Sequence, residues 1–183
     1  DYPKEKLNIY ILDDGGTHAK RHSHQNGDIA WARHYRLRRL ADELGIHYLT
    51  RETNQKAKAG NINHALQHSS GELILILDCD QIPTKDILRN TVGQFFIDPK
   101  LFLVQTPHFF INQTPVNSNL TGMYNKPDES EMFYRKIQPA MNFWNASFFC
   151  GSAAVLRRKY LMEVGGYRCK DYYRGCGNFI TAS

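Results

Sequence analysis

Two acidic clusters carry the chemical signal in this sequence: Asp13-Asp14, followed by Gly15-Gly16, and Asp78-Cys79-Asp80, which closes the apolar run Leu73 to Leu77. Two carboxylates separated by one residue at the end of a strand can both reach one hard divalent cation, and that cation can bridge to a diphosphate. Aspartates also close strands simply as turn formers, but two such clusters on one sheet edge favour a phosphate-bearing ligand. Lys58-Ala-Gly-Asn61 adds donors, because a glycine at a helix opening frees backbone N–H groups for an anion while Lys58 supplies charge. Alone, that segment reads as a helix start with a solvated lysine; beside the aspartates it reads as part of an anion site.

The elements that must position these residues follow from periodicity. Leu7 to Leu12 reads as a strand stopped by the Asp13–Gly16 turn, and Ile29 to Leu44 as a helix closed by Gly45. Residues 17 to 28 are polar and without pattern. Ile46 to Thr50 reads as a second strand, Lys58 onward as a helix ended by Gly71, and Glu72 to Leu77 as a strand buried on both faces of a parallel sheet. A helix from Pro83-Thr84 through Phe96, a strand at Leu101 to Gln105, a loop over 111–130, and an amphipathic helix near Glu129 to Asn142 follow. Ala153 to Leu156 continues the core, and a basic helix from Arg157 stops at Gly165-Gly166. This alternation implies a doubly wound α/β fold with a mostly parallel sheet flanked by helices, in which ligands bind beyond the carboxyl ends of the strands. Tyr167 to Ser183 has no periodicity and is expected to pack poorly.

The chain has 183 residues, enough for one domain with a sizeable core. Its 42% hydrophobic and 22% charged content excludes a disordered, collagen-like or coiled-coil chain. The net charge of +5 favours anionic partners without naming one. No apolar run reaches the roughly 18 to 20 residues that span a bilayer, so the segment is expected to be soluble. Four cysteines (79, 150, 169, 176) without CxxC spacing predict reduced thiols and a cytosolic compartment.

Asp13-Asp14-Gly15, Lys58-Ala-Gly-Asn61, Asp78-Cys79-Asp80, Gln105-Thr-Pro-His108 and Phe148-Phe-Cys-Gly-Ser152, in this order, resemble the catalytic subunits of bacterial cellulose synthases, processive family-2 glycosyltransferases. The resemblance runs from about Leu7 to Gly166. It implies a GT-A-like fold incomplete at both ends, a UDP-glucose donor, Mg²⁺ (with Mn²⁺ as an alternative), and inverting transfer to a growing β-1,4-glucan. On this resemblance Asp13, Asp14, Lys58, Asp78, Asp80 and His108 bind the donor, with Asp14 at the uridine, Lys58 at the phosphates, and Asp78 and Asp80 holding the metal. Phe149, Cys150 and Gly151 shape the acceptor site, offering aromatic surface to a pyranose. It further implies a parent at the cytoplasmic face of the bacterial inner membrane, with other synthase subunits as partners and no nucleic acid.

The departures from the family pattern are specific. A Thr-Glu-Asp motif, whose Asp acts as the base, is expected soon after Gly165-Gly166, where this chain reads Tyr167-Arg-Cys-Lys-Asp-Tyr-Tyr-Arg. Asp171, the nearby carboxylate, lacks matching neighbours, so no catalytic base is assigned. The segment therefore reads as a partial glycosyltransferase domain over 1–166 with a non-matching tail over 167–183, binding donor without polymerising. Gln81 stands where close relatives carry His. His18, His22 and His24 beside Arg21 suggest a metal site but lack a Cys or carboxylate at ligand spacing, so a solvated basic loop is favoured. Two rivals remain. Asp78-x-Asp80 after an apolar strand resembles the nucleophile loop of HAD-type phosphatases, although Ile82-Pro83 replaces the usual Thr or Val. Arg33, Arg36, Arg38 and Arg39 on one helix suit a nucleic-acid-binding domain, although no such motif is present.

Overall fold

The computed structural model describes residues 2–109, 132–144 and 146–168. The expected loop over 111–130, the start of the helix near Glu129, Asp171 and the tail beyond Arg168 lie outside the described residues. A 3₁₀ turn, Lys4–Lys6, precedes β1 (Tyr10–Leu12), which pairs in parallel with β2 (His47–Leu49) in the register Tyr10↔His47 to Leu12↔Leu49. Between them lie a short helix α1 (His18–Arg21) and the long helix α2 (Gly27–Leu44). The expected patternless stretch over 17–28 thus contains a helical turn, started by Thr17, whose side chain accepts the Lys20 N–H.

Helix α3 (Ala57–Gln67) leads to β3 (Leu73–Ile76), α4 (Ile87–Ile97) and β4 (Leu103–Gln105). A π-type turn, Phe133–Ile137, runs into α5 (Gln138–Phe143), and β5 (Ala154–Arg157) is followed by α6 (Arg158–Glu163). The α/β class and helix–strand alternation hold. Two of the three pairings among the described residues differ from the expectation of a mostly parallel sheet: β5 lies between β3 and β4 and runs antiparallel to both, with Ile76↔Ala154 and Gln105↔Ala154 in register, and only β1–β2 is parallel.

That reversal moves the centre of the core. Leu73 to Leu77 reads as a strand buried on both faces, yet Leu77 is 37% exposed and, of Leu73 to Ile76, only Ile76 is buried. Ala154, Val155 and Leu156 of β5, flanked by strands on both sides, are at most 1% exposed. Helix α3 lays Ala59, Ile62 and Leu66 on Ile76 and Leu156, Leu161 of α6 closes the cluster, and Leu12 brings β1 to its edge. Burying such apolar side chains contributes about 1.5–3 kcal/mol each before entropy is counted. Tyr167, placed by sequence in the poorly packed tail, is 2% exposed and belongs to this core. Its N–H donates to Asn63 Oδ1 and its carbonyl accepts from Asn63 Nδ2, each at 2.7 Å.

Candidate active site

Because β3 and β4 end where antiparallel β5 begins, three segments meet at one sheet edge. The Ala153 N–H donates to the Ile76 carbonyl at 2.7 Å, and the Thr106 N–H to the Ala153 carbonyl at 3.0 Å. Gln105 ties the junction: its Oε1 accepts the Cys150 N–H at 2.9 Å, while its Nε2 donates to the Ser152 and Ala153 carbonyls at 3.0 and 3.2 Å. The loop turns with Gly151 at φ 92° and Ala153 at φ 47°, the latter a left-handed conformation that non-glycine residues adopt only where surroundings hold them.

Into this junction α3 delivers Lys58, whose Nζ donates to Asp78 Oδ1 at 2.5 Å and to the Gly151 carbonyl at 2.9 Å. Gln81 bridges the other side, with its Oε1 accepting the Asp78 N–H at 2.9 Å and its Nε2 donating to Ser152 Oγ at 2.8 Å. Gln81 therefore links the acidic turn to the Gly151–Ser152 loop. Asp78 is partly exposed, and Cys79 and Asp80 are exposed. The expected anion role of the glycine in Lys58-Ala-Gly-Asn61 is corrected: the Gly60 N–H already donates to the Lys56 carbonyl at 3.0 Å, and a Cβ there would strike the Gln55 carbonyl.

The first acidic pair divides into two roles. Asp13 has 1% exposure, and its oxygens accept from Gly15 N–H (2.9 Å), Arg33 Nε (2.7 Å) and the Tyr48 hydroxyl (2.9 Å). Burial by itself would raise this carboxyl, but the hydrogen bonds from Arg33, Tyr48 and Gly15 hold it below the usual carboxylate range. Burial and the Asp13 carboxylate push the Tyr48 hydroxyl upward. Asp13 has no exposed oxygen for a ligand, which corrects its expected donor contact; it anchors the turn. Asp14 is clamped bidentately by Arg51, Nε to Oδ1 at 2.7 Å and Nη2 to Oδ2 at 2.6 Å. Each carboxylate oxygen has a second lone pair, so partly exposed Asp14 keeps acceptor capacity. Arg51 also donates to the Gln55 and Ala57 carbonyls, joining this turn to the start of α3.

The Phe148-Phe-Cys-Gly-Ser segment is likewise divided. Phe149 is 4% exposed and packs edge-on against Tyr167, with ring centroids 5.8 Å apart, so its ring faces the core and not a sugar. Burial pushes the Cys150 thiol up, partly offset by bonds from Gln138 and Tyr134. Tyr134, on the π-type turn, is pushed up to about 12 by burial and by Cys150. His108 lies with its ring 5.1 Å from Tyr134, and its buried Nε2 has no hydrogen-bond partner among the described residues.

Residues 1–165 match the family model described as Glycosyl transferase family 2. The chain belongs to glycosyl transferase family 2. Among curated relatives of this family 2 chain, it is 43% identical over 167 residues to "Cellulose synthase 2" of Novacetimonas hansenii, covering 91% of this chain and 9% of that protein. It is 42% identical to "Cellulose synthase 1 catalytic subunit [UDP-forming]" of Komagataeibacter xylinus, covering 91% of this chain and 20% of that one. The chain thus spans about a tenth to a fifth of these relatives' length. Its fold is similar to that of the mannosyltransferase PcManGT from Pyrobaculum calidifontis, solved with GDP-Man and Mn²⁺ (TM-score 0.53, 23% identity, 91% of this chain and 39% of that one). That likeness establishes a GT-A-like fold for this family 2 chain.

For a metal, Asp78 and Asp80 offer hard oxygen donors beside Lys58, and no group of three His, Cys, Asp or Glu gathers among the described residues. Two carboxylates fit an ion of the Mg²⁺ type, which retains waters and shares substrate phosphates. His18 and His22 stack at 4.1 Å, with His18 3.4 Å from Glu52, and form no metal cage. The phosphatase and nucleic-acid readings find no support: the family match is to glycosyltransferases, and Arg33 and Arg39 are paired with Asp13 and Glu43. Among the described residues no helix is long and apolar enough to cross a membrane. Sequence reasoning missed Arg51, Arg33, Tyr48 and Gln81 as site-builders; Gln105 was visible as part of Gln-Thr-Pro-His, but its role as a clamp was not.

Proposed function

We propose that this family 2 domain binds UDP-glucose with a divalent cation, Mg²⁺ or Mn²⁺, and presents the glucosyl group for inverting transfer to the 4-hydroxyl of a β-1,4-glucan. The observation that carries the reading is the Lys58–Asp78 ion pair at the end of β3, with exposed Asp80 two residues on, in a chain 41–43% identical to cellulose synthases. UDP leaves with concentrated negative charge, so catalysis at this position rests on charge neutralisation more than on proton transfer to the leaving group. When bound, the cation supplies Lewis-acid neutralisation of the diphosphate. Asp78 and Asp80 would hold the cation, Lys58 adds a second positive charge on the same side, oriented by Asp78 and the Gly151 carbonyl, and Gln81 holds the Asp78 turn. Asp14 accepts from the uridine end, His108 lies on the donor side, and Cys150 and Gly151 border the acceptor side. The base that activates the acceptor is assigned to no residue of this chain. The domain is proposed to span 1–166, to work at the cytoplasmic face of the inner membrane, and to act beside other synthase subunits.

Calorimetry of UDP with the 183-residue chain, with and without Mg²⁺ or Mn²⁺, tests the reading. Metal-dependent binding that Asp78→Asn and Asp80→Asn abolish is expected. Metal-independent binding, or none by a chain with a cooperative melt, would overturn it.

A further inference from the structure

Helix α3 opens on a strained turn. Lys56 and Ala57 both have positive φ, 58° and 41°, and neither is glycine. Two successive residues with side chains keep that left-handed conformation only where their surroundings impose it. Lys58 comes next, so this turn sets the direction in which the lysine leaves the helix. Inside the turn the Ala57 N–H donates to the Asn54 carbonyl at 3.0 Å. Arg51 supplies the other clamp, with Nη1 donating to the Gln55 carbonyl at 2.7 Å and Nη2 to the Ala57 carbonyl at 2.8 Å. A Cβ on Gly60 would collide with both the Gln55 carbonyl and Arg51 Nη1, so the glycine there admits the clamp.

Arg51 is itself held at both ends. Its carbonyl accepts the His18 N–H at 3.0 Å, and its side chain, 10% exposed, grips Asp14 through Nε and Nη2 at 2.7 and 2.6 Å. One planar guanidinium thus serves a carboxylate and two carbonyls on separate lines, which a point-like ammonium cannot do. At the far side of the turn, Lys58 Nζ reaches Asp78 and the Gly151 carbonyl. A continuous chain of hydrogen bonds therefore runs from Asp14 through Arg51 to the backbone that carries Lys58. We infer that Arg51 is a positioning residue, which couples the Asp14 turn to the strained entry of α3 and thereby aims Lys58 at the diphosphate. The inference rests on the proposed donor site and adds what sets the direction of its lysine.

Inorganic pyrophosphate has no base or ribose, so Arg51 and Asp14 should reach it only through Lys58. Its binding with Mn²⁺ is measured by calorimetry in the 183-residue chain, in Arg51→Lys, in Lys58→Met and in the double variant. Arg51→Lys should bind pyrophosphate about fivefold more weakly than wild type, and in the Lys58→Met background the same change should alter affinity by less than about twofold. Equal losses in the two backgrounds would make Arg51 a general support of the fold, and no loss in the wild-type background would detach it from Lys58; either result overturns the inference alone. Asp14→Asn keeps its shape but weakens the grip on Arg51, and should repeat the pattern with a loss of about threefold. That variant decides the matter if Arg51→Lys does not fold: unchanged pyrophosphate affinity in Asp14→Asn overturns the inference. A wild-type chain that binds no pyrophosphate with Mn²⁺ removes the diphosphate reading itself, and this inference with it.

Discussion

Lys58 Nζ lies 2.5 Å from Asp78 Oδ1, so a helix-borne ammonium already neutralises a carboxylate proposed to hold a metal. In the proposed donor complex, lysine and metal would compete for one oxygen and cooperate once a diphosphate brings its own negative charge. Lys58→Met is therefore expected to bind bare Mn²⁺ severalfold more tightly and UDP with Mn²⁺ about tenfold more weakly. Electron paramagnetic resonance titration of Mn²⁺, beside calorimetry of UDP, reads both changes; weakening of both would show that Lys58 only supports the fold.

Asp13 links stability to pH. Its folded-state carboxyl lies below the usual range, so it contributes stability that is present above the unfolded value of about 3.9 and is lost as pH falls through the lower folded value. Asp13→Asn should cost about 2 kcal/mol at neutral pH, less than the roughly 3–5 kcal/mol of a fully buried pair because Arg33 is half exposed. Urea unfolding across pH 7 to about 2.5 should show the gap between wild type and variant closing on the acid side. A constant gap refutes the assignment.

Tyr167 donates its hydroxyl to the Gly151 carbonyl at 3.0 Å, the carbonyl that also receives Lys58. Tyr167→Phe should lose about 1 kcal/mol, and Tyr167→Ala about 3–5 kcal/mol through the cavity beside Phe149. Denaturant midpoints check both. A Tyr167→Ala chain as stable as wild type would mean that the residue is dispensable to the core.

Cys79 is exposed between Asp78 and Asp80, whereas burial pushes the Cys150 thiol up. Iodoacetamide at neutral pH should label Cys79 well before Cys150, and UDP with Mn²⁺ should slow labelling of Cys79. Peptide mass spectrometry of a time course follows each thiol; preferential labelling of Cys150 would contradict the burial.

Local patterning made much of this legible. Helical periodicity and Gly45 bound α2 within two residues, and the apolar run before Asp78 marked β3. Both acidic clusters fall where they were expected, just past strand ends. Short polar stretches were harder: the α1 turn rests on a single Thr17 cap and has no apolar stripe to betray it. Tyr167 follows two glycines and precedes an unpatterned stretch, so nothing local signals the buried slot that Asn63 and Phe149 provide for it.

By itself the sequence determined the residue types and their positions at strand ends, because turn formers and hydrophobic period are local properties of the chain. Tertiary structure alone decided which carboxylate is which. Asp13 and Asp14 are adjacent and chemically identical, yet one is sealed by Arg33 and Tyr48 and the other, held by Arg51, stays open. The same holds for Phe149, an aromatic that looked suited to a sugar and is turned into the core by Tyr167. Strand direction made the difference: only with β5 reversed between β3 and β4 does the Gly151–Ala153 loop arrive at Lys58 and Asp78, and those pairings join residues about 80 apart (β3 with β5) and about 50 apart (β4 with β5) in the chain.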